Sequence, residues 1–586
     1  MIKQTALILA LAATSGSTLA ASQQTDAVAP ELGQGVQREW PDAPVVAQKF
    51  MLSAANPVAA NVGYEILKQG GNAIDAMVAV QAVLGLVEPQ SSGLGGGAFM
   101  LYHDASSGRL TSFDARETAP LAATPSLFQD EQGQPLKFFD AVVGGRSVGT
   151  PGTPKLMYEL HQAHGSLNWE SLLQPAINLA HNGFVVSARL ADSIAGDADR
   201  LATYPDTRAY FFNEDGTPLV QGHILKNPDY ADTLRQFARE GDSAFYQGSV
   251  GMALVDKVRS ITDNPGVLQM IDLQSYRLKE RPAICVNYRV YDVCGMGPPS
   301  SGALTVGQIL GMLNNFDLTA LGETSPKAWN LIGEASRLAF ADRGRYMADS
   351  DFVPMPAGLV DTAYLQQRAA LIEPGKALES VSAGEPNWGA GLAFKYGDDQ
   401  AIELPSTTHF SIVDAQGNVL SMTSTIENGF GSRVMSGGFL LNNELTDFSF
   451  KSYDQGYPIA NRVEPGKRPR SSMSPTIVMR DNAPYMAIGS PGGSRIIGYV
   501  VNALVAHIDW GKDIQAAINQ PHRVNRFGTF DLEQNTQATE LQSDLEAMGY
   551  KVSLRDLNSG IHAIVIGESQ LEGGADPRRE GVVLGD

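Results

Sequence analysis

Basic residues are in short supply in this sequence: 43 Lys and Arg stand against 63 Asp and Glu, a formal net charge of -20 at pH 7. Without a basic face to neutralise phosphates, a nucleic-acid partner is excluded, and the surplus of one sign favours solubility. Beyond the first twenty residues there is no long apolar run, so no membrane insertion is expected. Internal repeats and low-complexity tracts are missing as well. Cysteine is reduced to Cys285 and Cys294. The pair flanks an alternating β-branched and aromatic stretch that reads as extended chain. In an oxidising compartment the two could close a small loop; otherwise they are independent buried thiols. Neither is expected to be catalytic.

What remains is an ordinary globular composition, 43% hydrophobic and 18% charged. The 586 residues are enough for several domains or one large layered one. Met1-Ile2-Lys3, the apolar run over residues 6–13 and the small residues Thr18-Leu19-Ala20 read as a secretory signal over residues 1–20. The mature protein is therefore expected to be periplasmic or secreted. Residues 21–40 are polar and rich in Pro and Gln, a loose leader.

Helical periodicity runs over residues 57–88, broken at Gly70-Gly71. The glycine-rich run Ser91-Ser92-Gly93-Leu94-Gly95-Gly96-Gly97 marks a close backbone approach or a sharp turn. Residues 150–380 are mainly helical, with a long helix over about 328–347. After residue 405 the texture changes. Residues 408–413 alternate as a strand, Asp414-Ala415-Gln416-Gly417 is a turn, and 418–426 is a second strand. Further strands are predicted near 439–441, 476–478 and 486–488, and helices near 495–507, 514–519 and 541–548. Helical layers around antiparallel sheets give an α/β layered sandwich.

Three short patterns suggest chemistry. Gly145-Arg146-Ser147-Val148-Gly149 has the spelling of a nucleophile elbow, but the proline-rich text after it starts a helix poorly. His161 and His164 stand at helical spacing without acidic or cysteine partners, so no metal and no cofactor are expected. Thr407-Thr408 opening a strand is, by itself, only structural.

The surrounding text changes that reading. Pro405-Ser406-Thr407-Thr408-His409-Phe410-Ser411 with Thr423-Ser424-Thr425 resembles the processing site of the γ-glutamyltransferase family. Lys467-Arg468-Pro469-Arg470-Ser471-Ser472-Met473-Ser474-Pro475 and Gly489-Ser490-Pro491-Gly492-Gly493-Ser494-Arg495 resemble two further family motifs. So do Phe113-Asp114-Ala115-Arg116-Glu117 and Pro298-Pro299-Ser300-Ser301-Gly302, and the resemblance runs from about residue 45 to the C-terminus. It implies a four-layer αββα sandwich of the N-terminal-nucleophile hydrolase type. It also implies a precursor that cuts its own Ser406–Thr407 bond into a large chain (21–406) and a small chain (407–586), which stay together as a heterodimer.

Freed at a chain start, Thr407 becomes the nucleophile, with its own α-amino group as base. Such groups have pKa values of about 7.7–8.0, so a useful neutral fraction exists near neutral pH. By the same resemblance Thr425 orients the nucleophile, and Gly492 and Gly493 form an oxyanion hole. Arg116, helped by Ser471 and Ser472, grips the donor carboxylate, and Asp447 holds its ammonium. Glutathione and other γ-glutamyl compounds are the implied donors, with amino acids, peptides or water as acceptors.

Two positions depart from the commoner pattern: Glu427 stands where many members have Asn, and Glu444 where many have Gln. With Asp447 they would set three carboxylates around one ammonium, opposite Arg116. The stretch between Asp447 and Lys467 is short for members with a covering lid, which predicts a more open cleft. Rival readings are a glutaryl-type acylase of the same fold and a non-processing periplasmic binding protein.

Overall fold

The computed structural model describes residues 40–586 except 390, 400, 402 and 405. The expected signal and leader over residues 1–39 lie outside the described residues.

The strands that build the core are β1 (Val45–Ala47), β2 (Met51–Ala54), β3 (Gly97–Asp104), β4 (Arg109–Ala115), β5 (Lys279–Arg281), β6 (Ile284–Tyr288), β7 (Tyr291–Gly295), β8 (Thr408–Val413), β9 (Val419–Thr425), β10 (Thr476–Arg480), β11 (Ala483–Gly489), β12 (His562–Ile566), β13 (Leu571–Ala575) and β14 (Val582–Gly585). They form two seven-stranded sheets. The front sheet runs β14-β2-β8-β9-β3-β4-β5 and the back sheet β1-β13-β12-β11-β10-β7-β6. All pairings within these two sheets are antiparallel.

Side-chain alternation decides which layer each residue joins. Along β8, Phe410 and Ile412 enter the apolar cluster under the front helices. His409 and Ser411 point between the sheets, where they bond Thr423 and the His562 carbonyl. Along β3, Ala98, Met100 and Tyr102 take the helix side, whereas Phe99 and Leu101 join the second cluster.

Residues 57–88 form the two helices their periodicity predicts, α1 (Pro57–Lys68) and α2 (Ala73–Val87). The break is built from Gly70 at φ +91° and a capping box between Asn72 and Asp75 that starts α2. Every residue of α2 is buried, as an all-round apolar helix requires. Its first N–H is also held by the Asp414 carboxylate from the β8–β9 turn. Behind the back sheet lie α3 (Gly302–Leu313), α4 (Pro326–Tyr346) and α5 (Ile496–Ile508). The order is αββα.

The glycine run serves close approach. A Cβ on Gly96 would lie 2.0 Å from the Thr425 carbonyl oxygen, and one on Gly95 2.1 Å from that of Leu440. Cys285 and Cys294 face each other across β6–β7 and are joined as a disulfide. Among the described residues no helix is long and apolar enough to cross a membrane.

Phe410 is fully buried at the centre of the front sheet. Phe410→Ala is expected to cost about 3–5 kcal/mol, read as a lowered thermal midpoint by circular dichroism.

Candidate active site

The register of one hairpin sets the centre of the site. β8 and β9 pair as Thr408↔Ser424, so the next rung sets Thr407 opposite Thr425. Their hydroxyl oxygens are 3.2 Å apart. Thr425 Oγ1 accepts the Glu427 backbone N–H at 2.9 Å, which leaves its own proton available to Thr407.

The chain is pinned on both sides of the 406–407 bond. Ser406 Oγ donates to the Gln90 carbonyl at 2.7 Å, and Arg579 Nη1 donates to the Thr407 carbonyl at 2.9 Å. Thr408 Oγ1 donates to Glu88, which is itself ion-paired to Arg189. Between these anchors Thr407 has φ +147°, a region that a β-branched residue avoids. Such strain costs on the order of 1–3 kcal/mol, and here it lies on the bond next to Thr407 N.

The cavity beside Thr407 is lined by Arg116, Thr425, Glu427, Glu444, Asp447, Ser471, Ser472 and Gly493. Of the pocket residues expected from sequence, Gly492 alone is not in the lining. It precedes Gly493 at φ +136°, with Gly493 at φ +58°, just before the short turn that leads into α5. Ser406 points away, to Gln90.

Glu444 and Asp447 begin and end one 3₁₀ turn, where residues three apart share a face. Arg116 follows directly on β4 and meets both. Its guanidinium pairs with Glu444 and, at 2.5 Å, with Asp447. It also donates to the Pro469 and Arg470 carbonyls. This corrects the expectation that Arg116 stands across the cavity from the acids. All these groups are buried, and unpaired carboxylates there are costly, so the guanidinium sits among them.

Burial, before any neighbour, pushes the carboxyls of Glu427 and Asp447 well above the usual range; nearby acids add to it, while Arg116 works against it at Asp447. Glu117, behind Arg116, is raised in the same way by burial and by Glu444. Asn443 holds one oxygen of Glu427. Among the described residues, Glu427 Oε1, Glu444 Oε2 and Asp447 Oδ1 are buried and have no hydrogen-bond partner.

Sequence reasoning missed Glu403 and Leu404, which also line the cavity. A Cβ on Gly493 would lie 2.9 Å from the Leu404 carbonyl group, so Leu404 packs directly against the glycine turn at the pocket. The remaining cavity is about 20 Å³, room for one water. The pocket is narrow, and Glu403 and Leu404 form part of its wall. The other two patterns carry no chemistry. Ser147 follows the helix Phe138–Val142 rather than a strand, and its hydroxyl donates to the Val142 carbonyl, so it forms no elbow. His161 bonds the Leu167 carbonyl, and His164 packs on Tyr102.

Two packed antiparallel sheets between helical layers, with a threonine hydroxyl at the head of an inner strand, define an N-terminal-nucleophile hydrolase. A sequence profile of the gamma-glutamyltranspeptidase family matches residues 59–586, and the chain belongs to that family. It is 36% identical to the glutathione hydrolase proenzyme of Escherichia coli (strain K12), over 99% of this chain and 98% of that one. It is 35% identical to the glutathione hydrolase proenzyme of Bacillus subtilis (strain 168), over 92% of each. Among solved structures, the cephalosporin acylase of Bacillus halodurans superposes with a TM-score of 0.82 at 26% identity, over 95% of this chain and 99% of that one.

The raised carboxyl of Glu427 makes a pH prediction for the uncut chain. The folded state binds this proton more tightly than the unfolded state does. Its contribution is therefore complete below the ordinary carboxylate pKa of about 4.3 and is lost as pH rises through the higher folded value. In a Thr407→Ala background, Glu427→Gln should match its parent's thermal midpoint near pH 4. At pH 8 it should exceed the parent by the equivalent of about 1 kcal/mol or more, one pKa unit's worth.

Proposed function

We propose that this protein is an exported precursor that cuts its Ser406–Thr407 bond and then acts as a γ-glutamyltransferase with glutathione hydrolase activity. The signal over residues 1–20 directs it to the periplasm or the medium, and residues 21–406 and 407–586 become the two chains of one heterodimer. The observation that carries the activity is the set of three carboxyl oxygens without a partner among the described residues, Glu427 Oε1, Glu444 Oε2 and Asp447 Oδ1, on residues lining the same cavity as Thr407. An ammonium supplies N–H donors and positive charge to that end; a glutaryl group supplies neither. This favours γ-glutamyl donors over the glutaryl donors of an acylase.

In the cut, Thr407 Oγ1 attacks the Ser406 carbonyl carbon, and the acyl group moves from nitrogen to oxygen as the amide bond breaks. Water then hydrolyses the ester, releasing the Ser406 carboxylate and leaving Thr407 with a free amine. The strained φ of Thr407 is relieved when the peptide link to Ser406 is gone. In turnover the amine accepts the hydroxyl proton while Oγ1 attacks the donor's γ-carbonyl. Thr425 holds Oγ1, and N–H groups at Gly492-Gly493 face the oxyanion. The amine leaves with the proton, and water or an acceptor amine resolves the γ-glutamyl ester.

Intact-mass measurement tests the first step. Wild-type protein should give two chains meeting between residues 406 and 407. Thr407→Ala should give one chain, and Thr407→Ser two chains formed more slowly; a cut in Thr407→Ala removes the self-processing reading. For the second step, Glu427→Gln in the cut enzyme should raise KM about tenfold for γ-glutamyl-p-nitroanilide while leaving the glutaryl analogue nearly unchanged.

A further inference from the structure

Thr407 and the Gly492-Gly493 turn belong to different sheets. Thr407 heads β8 of the front sheet, and the turn follows β11 of the back sheet. Chemistry between them depends on the gap between the sheets at this end. In most sandwiches interdigitated apolar side chains fill that gap, but here polar groups do. Ser53 on β2, Ser411 on β8 and Ser421 on β9 donate to the carbonyls of Gly574, His562 and Ile488 on the back sheet, at 2.9, 3.1 and 3.1 Å. Ser421 Oγ also accepts the Thr476 N–H from β10.

One large side chain shares this space. His409, two residues after Thr407, is fully buried and lies against Gly489, the last residue of β11. A Cβ on Gly489 would lie 2.3 Å from the ring carbon Cε1, 2.5 Å from Nδ1 and 2.7 Å from Nε2. Gly489 does not have a positive φ, so its backbone conformation would accept alanine; what excludes a side chain is the imidazole. The ring is held from both sides. Nδ1 is 2.8 Å from Thr423 Oγ1 on β9, and Nε2 is 3.3 Å from Ser411 Oγ. Ser411 gives its proton to the His562 carbonyl, so it accepts from Nε2–H, and Thr423 donates to Nδ1. Burial, with His562 adding to it, pushes the imidazole well below its ordinary pKa. The ring is neutral, and neither nitrogen is left to take a proton from Thr407.

Gly489 pairs with His562 across β11–β12 and leads through Ser490 and Pro491 to Gly492-Gly493. Ser490 Oγ accepts the Gly560 N–H at 3.3 Å, so the turn is tied to the back sheet and travels with β11. We propose that His409 is a positioning residue for the reaction: its ring is the spacer that holds β11, and with it the Gly492-Gly493 turn, at the working distance from Thr407 Oγ1. This deepens the γ-glutamyltransferase reading above and rests on it. Thr407 and His409 share one face of the chain, so the alternation that aims the hydroxyl at the turn aims the ring at Gly489. Arg116, Glu427 and Asp447 all lie off β11, so a displaced β11 disturbs the oxyanion and spares the binding of the donor's head.

A size exchange tests this, on enzyme verified as two chains by mass. Gly489→Ala sets a methyl against the ring, and β11 must yield. For γ-glutamyl-p-nitroanilide kcat should fall about tenfold or more, with KM within about twofold of wild type. His409→Ser removes the ring and should lower kcat by about tenfold as well. It should leave the pH dependence of kcat/KM as in wild type, because the neutral ring takes no proton. In the double variant the methyl enters vacated space, and kcat should recover at least about fivefold over Gly489→Ala alone.

An unchanged kcat in Gly489→Ala, a KM that rises as much as kcat falls, or losses that multiply in the double variant each overturn the spacer. So does loss of the acid limb in His409→Ser, which would make the ring a base. If Gly489→Ala stays uncut, the fraction cut in a fixed time is compared instead, and the double variant should regain cutting; its failure to do so overturns the proposal too. Absence of turnover of the γ-glutamyl anilide by wild-type enzyme would instead remove the reading on which the proposal rests.

Discussion

The antiparallel register of the 408–425 hairpin is the constraint on which the rest of the molecule depends. Side chains alternate with period two, so a slip of one residue would exchange the faces of both strands. Phe410 and Ile412 would leave the front cluster, and Thr407 would no longer meet Thr425. The register is fixed locally by the Asp414 turn, where Asn418 N–H and side chain both bond the Asp414 carboxylate. It is fixed globally because the same carboxylate caps α2. Packing and reactivity are thus set by one alignment.

Electrostatics completes what the register begins. The uncut chain buries a row of like-signed carboxyls and tolerates them by two devices: Arg116 is placed among them, and Asn443 supports Glu427. On the other side, Arg343 and Arg470 are balanced by Glu403 and Asp399. The site is thereby kept stable in a protein that has yet to meet its substrate, at the expense of being filled.

The hairpin and the paired helices over 57–88 were legible because alternation, 3.6-residue periodicity and turn residues all agree there. β2, β3 and β4 were not foreseen as strands. β2 is buried on both faces, and Met51-Leu52-Ser53-Ala54 carries no polar alternation to mark it. β13 includes Gly573 and Gly574, weak strand formers that the sheet nevertheless holds. At the site, motif text led to the residues now gathered beside Thr407, but not to their pairing. A linear sequence carries no measure of which charges share a buried space, so Arg116 was set opposite acids that it touches. Glu403 left no signal at all, since a lone acid in a linker reads as solvated.

The sheet orders carry a consequence for the life of the molecule after cutting. In the front sheet β14, β8 and β9 belong to the segment after residue 406, and β2, β3, β4 and β5 to the segment before it; β2 is inserted between β14 and β8. In the back sheet four strands from the later segment are flanked by β1 on one side and β7 and β6 on the other. The segments on either side of residue 406 are therefore woven, not docked. Dilution offers them no route apart, because parting would open backbone ladders in the middle of both sheets. A break in the covalent chain between residues 406 and 407 would leave both segments paired strand to strand, with the sheets themselves holding the pieces together.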